Sequence, residues 1–112
     1  MGKTQAPAEL LPGTLDLLIL KVLARERMHG YGIAQDLKRM SDDVLQVGES
    51  SLYPALQRLL MRGWVKAAWG ASDNNRRARY YELTAAGRRQ LAIEREEFDR
   101  IIVAIHKVLH AT

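Results

Sequence analysis

The sequence predicts an α+β fold that is mostly helical, in the order helix, helix, short strand, helix, hairpin and long helix. Three observations lead to this prediction. Apolar residues recur at helical spacing in four stretches, and two short β-like segments flank a polar turn at residues 70–75. The composition, with 47% hydrophobic and 27% charged residues, is that of a globular domain. A chain of 112 residues has room for one modest core.

The first helix is predicted to begin at Thr14, as its cap, and to end near Arg27, after a flexible arm at residues 1–12. The apolar side chains between Leu15 and Leu23 surround almost the whole helix, whereas a surface helix needs only one apolar stripe. We therefore expect this helix to be buried on two sides, in part by a partner chain.

The segment His29-Gly30-Tyr31-Gly32 separates the first helix from a second one. Residues Val44–Val47 predict a short strand-like run, and a third helix follows. Pro54 favours Ser51 as the cap of that helix, because the proline would then occupy the third helical position, where the N–H has no intrahelical partner. Gly63 is expected to end the helix.

Two strands, at residues 64–69 and 78–83, are predicted to form the hairpin, with Tyr81 and Leu83 on one face. Thr84 is expected to cap a last helix that runs nearly to the end of the chain. That helix repeats an apolar residue every seven positions, a pattern typical of helices that pack along one another.

The apolar stripe of the last helix and the apolar excess of the first together predict a homodimer. The predicted interface residues are Leu15, Leu18, Val22, Leu91, Phe98, Ile101, Ile102, Ile105, Val108 and Leu109.

Three helices followed by a hairpin form the winged helix-turn-helix arrangement, in which the third helix enters the major groove of DNA. The net charge of +4, with five arginines between residues 72 and 89, favours the same polyanionic partner. We therefore predict a winged helix DNA-binding domain at 13–84 and a dimerisation helix at 85–112. The predicted DNA-binding residues are Tyr31, Gln35, Ser50, Ser51, Tyr53, Pro54, Gln57, Arg58, Asn75, Arg76, Arg77 and Arg79.

Some side chains have alternative interpretations. Arg58 suits a guanine edge or a phosphate equally well, and it can also be a solvated charge. Tyr31 is expected to pack beside Tyr53, with DNA contact as the alternative. Trp64, Trp69 and Phe98 are expected in the hairpin core and the interface core, with a ligand pocket as the alternative.

The composition argues against several other classes. The absence of cysteine suits a reducing compartment, so we expect a cytoplasmic protein, and the longest apolar stretch is too short to span a bilayer. His106 and His110 have a spacing compatible with a metal ion, but no cluster of further ligands completes a site. The acidic residues at 94–99 alternate with arginine, as on a solvated helix face. We predict no enzyme activity, metal or cofactor.

Four motifs resemble, in order, those of the PadR family of transcriptional regulators. They are Leu11-Pro12-Gly13-Thr14-Leu15, His29-Gly30-Tyr31, Ser51-Leu52-Tyr53-Pro54-Ala55-Leu56 and Arg79-Tyr80-Tyr81-Glu82-Leu83-Thr84-Ala85-Ala86-Gly87. The resemblance covers almost everything after the arm. It implies a bacterial repressor that is dimeric through its C-terminal helix and releases DNA when a small-molecule effector binds. The single helix after the hairpin resembles the short C-terminal subgroup.

The predicted function is therefore that of a homodimeric repressor that reads an inverted repeat in double-stranded DNA and does not act at a membrane. Two alternatives stay open. One is a protein-binding adaptor that uses the winged-helix fold without DNA. The other is a dimer whose main role is the capture of a small molecule.

Overall fold

The computed structural model describes residues 13–72 and 74–112, so the predicted arm at 1–12 lies outside the described residues. Within those ranges the chain forms four helices and one three-stranded antiparallel sheet. The elements are α1 Thr14–Leu23, β1 Met28–His29, α2 Gly30–Met40, α3 Glu49–Met61, β2 Val65–Ala71, β3 Arg77–Leu83 and α4 Ala85–Leu109. The predicted α+β, mostly helical fold is confirmed.

Helix α1 is shorter than predicted. It ends at Leu23 rather than near Arg27, and its cap is Gly13, with a φ of 87°, rather than Thr14. The chain leaves the helix because Met28 and His29 form strand β1, which pairs antiparallel with Tyr81 and Tyr80 of β3. A two-residue strand has no periodicity in the sequence from which to predict it.

The predicted strand at Val44–Val47 is wrong, because those residues form a loop between α2 and α3. The start of α3 also differs, since Glu49 is the first helical residue and Gly48, not Ser51, is the cap. Pro54 therefore lies well inside the helix and not in its first turn. A proline at this position cannot donate to the carbonyl of Ser50, which loses its helical partner.

Helix α1 lies at the centre of the core. It packs against α2, α3, β3 and α4, and most of its apolar side chains are buried within the single chain. Leu15 and Val22, expected at a dimer interface, are only 9% and 1% exposed. The apolar excess of α1 therefore needs no partner chain to cover it, contrary to the expectation from the sequence.

The hairpin follows the prediction closely, and its base extends the core. Strands β2 and β3 pair from Val65 opposite Leu83 to Ala71 opposite Arg77. Tyr81 and Leu83 are both buried on one face, as predicted. None of the helices in residues 13–72 and 74–112 combines the length and the apolar character needed to cross a membrane.

The start of α4 is joined tightly to the end of α3. The Thr84 hydroxyl accepts a hydrogen bond from the Gly87 backbone N–H at 3.0 Å, which confirms the predicted cap. The same hydroxyl donates to the Gly63 carbonyl at 2.7 Å. Gly87 is buried, and a Cβ added there would overlap the backbone carbonyl of Trp64 and the side chain of Leu83.

Replacing Gly87 with Ala is expected to lower the free energy of unfolding by about 1–3 kcal/mol, because the new methyl group meets backbone that cannot move aside. The intrinsic gain in helix propensity, about 1 kcal/mol, offsets only part of this. Urea denaturation followed by circular dichroism measures the change. Arg88→Ala, at the exposed neighbouring position, serves as the control and should leave the unfolding midpoint nearly unchanged.

Candidate nucleic-acid interface

Helix α3 is divided into a buried side and an exposed side. Its buried residues Leu52, Ala55, Leu56 and Leu59 hold it in the core. The exposed side carries every α3 residue that the sequence predicted to contact DNA: Ser50, Ser51, Tyr53, Pro54, Gln57 and Arg58. The helix thus presents a continuous polar and aromatic surface from a rigidly packed base.

Tyr53 packs against the start of α2. A Cβ added at Gly30 would lie 2.6 Å from the Tyr53 hydroxyl oxygen, so the absence of a side chain at Gly30 makes room for the phenol. Burial, followed by the charges of Tyr81 and Glu49, raises the pKa of Tyr53 above its usual value. A tyrosine phenol is protonated at neutral pH in any case, and the raised pKa extends this to more alkaline solution, so Tyr53 can donate a hydrogen bond to an anionic acceptor.

His29 determines how α2 begins. Its Nδ1 accepts a hydrogen bond from the Gly32 backbone N–H at 3.0 Å, which makes the imidazole the cap of the helix. Tyr31, two residues further along the chain, was expected to pack beside Tyr53, but its side chain is 70% exposed. Because Tyr53 rests on the bare backbone of Gly30, the Tyr31 ring is left open to solvent. Gln35, also predicted to contact DNA, is exposed on the same helix.

Arg58 is not a freely solvated side chain. Its Nη2 and Nε donate to the two carboxylate oxygens of Asp16, at 2.7 and 3.3 Å. Asp16 lies on α1 with its side chain only 7% exposed, and Arg62 approaches the same carboxylate at 3.8 Å. The hydrogen bond to Asp16 raises the pKa of Arg58 above its usual value. Arg58 keeps only Nη1 and the outer hydrogen of Nη2 for a further contact.

The hairpin carries its cationic residues on one side of its outer half. Arg77 and Arg79 occupy alternate positions of β3, on the same face as the buried Tyr81. The turn is closed by hydrogen bonds from Ser72 and Asn75, and Asn75 has a positive φ of 63°. Asn75, Arg76, Arg77 and Arg79, all predicted to contact DNA, are exposed. In the ranges 13–72 and 74–112, these arginines have no carboxylate within 4.0 Å.

A cleft of about 820 Å³ separates the hairpin from the start of α2 and from α3. One wall carries Trp69, Arg77 and Arg79, and the other carries Tyr31 and Tyr53. The structure therefore brings Tyr31 of α2, Tyr53 of α3 and the hairpin arginines together at one cleft, whereas the other predicted residues of α3 do not line it. A surface that combines guanidinium groups, hydroxyl groups and aromatic rings suits a nucleic-acid backbone.

Comparisons with known proteins identify the family. The model of the transcriptional regulator PadR-like family matches residues 19–93. The chain belongs to this family of PadR-like transcriptional regulators. Its members are DNA-binding regulators of transcription and not enzymes.

Solved structures resemble this PadR-like regulator over most of their length. A transcriptional regulator from Clostridium thermocellum is 28% identical, with a TM-score of 0.78 over 85% of this chain and 92% of that one. A PadR family transcription regulator from Clostridium difficile is 27% identical, with a TM-score of 0.75 over 87% and 99% of the two chains. An uncharacterized protein of Lysinibacillus sphaericus is 27% identical over 76% of this chain and 78% of its own length.

The sequence did not identify two residues of this surface. Asp16 looks like an ordinary interruption of an apolar helix, and only the fold reveals its contact with Arg58, 42 residues away. Trp69 was expected in the hairpin core, but it is 62% exposed. Its position on the face of Tyr81 was predictable from strand alternation, whereas the point at which the core ends along that face was not.

The remaining candidate group lies elsewhere on the regulator. His106 and His110 have nearly parallel rings whose centroids are 5.6 Å apart, on the exposed end of α4. Within the part of the chain that the structure describes, no three His, Asp or Glu side chains are grouped closely enough to hold a metal ion.

Replacing Asp16 with Asn should lower the free energy of unfolding by about 1–2 kcal/mol. Hydrogen bonds to charged groups contribute roughly 1.5–3 kcal/mol, and the half-exposed Arg58 can recover part of this from water. Glu82→Gln, which removes an exposed ion pair with Lys66 at 4.0 Å, is the matched control and should cost less than about 0.5 kcal/mol. Equal effects of the two substitutions in chemical denaturation would show that Asp16 has no special role.

Proposed function

We propose that this PadR-like regulator is a cytoplasmic, homodimeric repressor that binds an inverted repeat in double-stranded DNA and is released by a small-molecule effector. The observation that carries the proposal is the cleft between α3 and the hairpin. Tyr53 of α3 and Arg76, Arg77 and Arg79 of the hairpin line it, and the other predicted residues of α3 are exposed on the same helix. Repression would follow because a bound dimer blocks access of polymerase to the promoter.

On DNA, α3 would enter the major groove with its exposed side toward the base edges. Gln57 is suited to adenine, and the hydroxyl groups of Ser50 and Ser51 to phosphate. Arg58, held by Asp16 through Nε and Nη2, keeps Nη1 and the outer hydrogen of Nη2 for either a guanine edge or a phosphate. Arg76, Arg77 and Arg79 would contact phosphates or a narrow minor groove.

The dimer would form through α4. The first part of this helix packs on α1, whereas Ile101, Ile105, Val108 and Leu109 are between 42% and 74% exposed. Four apolar residues on one side of the helix, exposed over its final turns, support a helix partner there. A two-fold dimer would place its two α3 helices roughly 34 Å apart, one turn of DNA.

An effector would act by changing that spacing. A groove of about 270 Å³ between α1 and α4 is lined by Leu18, Leu91 and Phe98, three residues predicted at the interface, together with Lys21 and Arg95. A small molecule bound in this groove would favour the dimer geometry that accommodates it. If that geometry misplaces the two α3 helices, DNA is released.

Replacing Arg76 and Arg77 together with Ala should weaken binding to duplex DNA and flatten its dependence on salt. Each lost phosphate contact lowers the slope of log K against log salt by about 0.9. Fluorescence anisotropy with labelled DNA from upstream of the gene, titrated between about 50 and 200 mM salt, measures both quantities. Arg100→Ala removes an exposed charge from α4 and should leave the slope unchanged.

The same titration discriminates against the competing functions. A protein-binding adaptor or a ligand-capture dimer would show no salt-dependent affinity for any duplex. An unchanged slope in the double variant would show that these hairpin arginines do not contact the DNA.

Replacing Ile105 with Asp should convert the dimer to a monomer, because a carboxylate would be buried in an apolar helix contact. Light scattering coupled to size-exclusion chromatography gives the mass directly. Ile93→Asp is the matched control, since Ile93 is 61% exposed and lies five positions, or about 140°, around α4 from Phe98. A monomeric wild-type protein, or a dimer that survives Ile105→Asp, would contradict the proposed interface.

A further inference from the structure

Trp69 is an unusually exposed side chain for its size. The indole is 62% exposed on strand β2, although Val65 and Tyr81 on the same face of the hairpin are buried. The core ends before it reaches this position, so the burial of Trp69 does not explain its presence. A large exposed aromatic ring on a strand whose other exposed side chains are alanine or lysine indicates a contact surface.

The guanidinium group of Arg77 holds the indole in place. Trp69 lies directly opposite Arg79 in the strand pairing, and the Arg77 guanidinium carbon is 4.9 Å from the centre of the indole ring. The cation–π contact limits the rotation of both side chains without covering the ring. Trp69 and the Arg77 guanidinium therefore form one unit on the hairpin wall of the cleft, beside Arg79, whose guanidinium carbon lies 5.7 Å from the centre of the Tyr81 ring.

The opposite wall of the cleft matches this unit chemically. It carries the phenol groups of Tyr31 and Tyr53. A ligand that fills the space meets aromatic faces together with guanidinium and hydroxyl donors. A deoxyribose with its phosphate fits these groups, because the sugar offers an apolar face and the phosphate offers anionic oxygens.

We infer that Trp69 is a DNA-contacting residue that packs against the sugar of one strand while Arg77 reaches its phosphate. This inference rests on the proposed function and adds a residue that neither the sequence nor the charge pattern indicates. The contact is independent of base sequence, since every nucleotide carries the same sugar and phosphate. It would therefore set the position of the hairpin along the groove.

Intrinsic fluorescence tests the contact directly, because the chain has two tryptophans. In the Trp64→Phe variant, Trp69 is the one tryptophan whose fluorescence is observed. In the Trp69→Phe variant, the half-buried Trp64 is observed instead. A random-sequence duplex of about 30 base pairs, long enough for two half-sites one turn apart, is added at low salt. Acrylamide quenching of Trp69 should fall at least twofold on binding, while that of Trp64 should not change.

Affinity measurements separate a contact from a structural role. Trp69→Ala should bind the same duplex roughly tenfold more weakly, a change of about 1.4 kcal/mol, with an unchanged salt slope. Arg77→Ala should lower the slope, because a charge is lost. Trp69→Phe, which retains an aromatic ring, should recover most of the affinity. Circular dichroism of each variant excludes loss of the fold as the cause.

The possible outcomes are distinct. If the wild type shows no affinity for duplex DNA, the proposed function and this inference both fail. If the wild type binds but Trp69 stays equally quenched and Trp69→Ala binds as tightly, only the inference fails. A free deoxynucleoside monophosphate that protects Trp69 at micromolar concentration, when duplex DNA does not, would also overturn it.

Discussion

Helix α1 has apolar side chains around nearly its whole circumference, and the other elements are arranged to cover them. Helices α2, α3 and α4 and strand β3 each contact it. With about 25 cal/mol released per Å² of apolar surface removed from water, this burial is the main force that brings the helices together. The position of α3, and with it the orientation of the surface proposed to face DNA, follows from the requirement to cover α1.

The exception within α1 is as informative as its apolar residues. A carboxylate at Asp16 is 7% exposed, and burial without a partner would be costly. Arg58 of α3 and Arg62, the residue that follows this helix, satisfy it from the solvent side. Since ion pairs are directional where apolar contacts are not, this contact favours one rotation of α3 against α1. The apolar stripe determines which side of α3 faces inward, and the ion pair adds a directional constraint to it.

Much of the fold could be predicted from the sequence because its signals are local. Thr84 as a cap, the alternation that buries Tyr81 and Leu83, and the long final helix all depend on residues within a few positions of one another. The errors concern features that depend on distant residues. Strand β1 forms only because β3 is available to pair with it, and the cover of α1 comes from elements throughout the chain.

The same distinction applies to the candidate site. Residues on the exposed side of α3 could be predicted by removing the apolar stripe from the helix, and the hairpin arginines by their charge. The exposure of Trp69 could not be predicted, because it depends on where the core ends. The ion pair of Arg58 with Asp16 could not be predicted either, because it depends on which helix lies next to α3. Tyr53 could be predicted in part. The sequence shows the motif that contains it, but not that its ring packs against Gly30.

The junction between α3 and α4 has a mechanical consequence. Thr84 bonds to both Gly63 and Gly87, and Gly87 lies in van der Waals contact with the backbone at Trp64, so the junction contains no compliant linker. Helix α4, with 25 residues, is about 37 Å long. A tilt imposed at its far end would therefore act directly on the chain at Gly63 and Trp64, where α3 passes into the hairpin. In the proposed dimer, a small angular change between the two α4 helices would in this way displace both of the elements proposed to contact DNA.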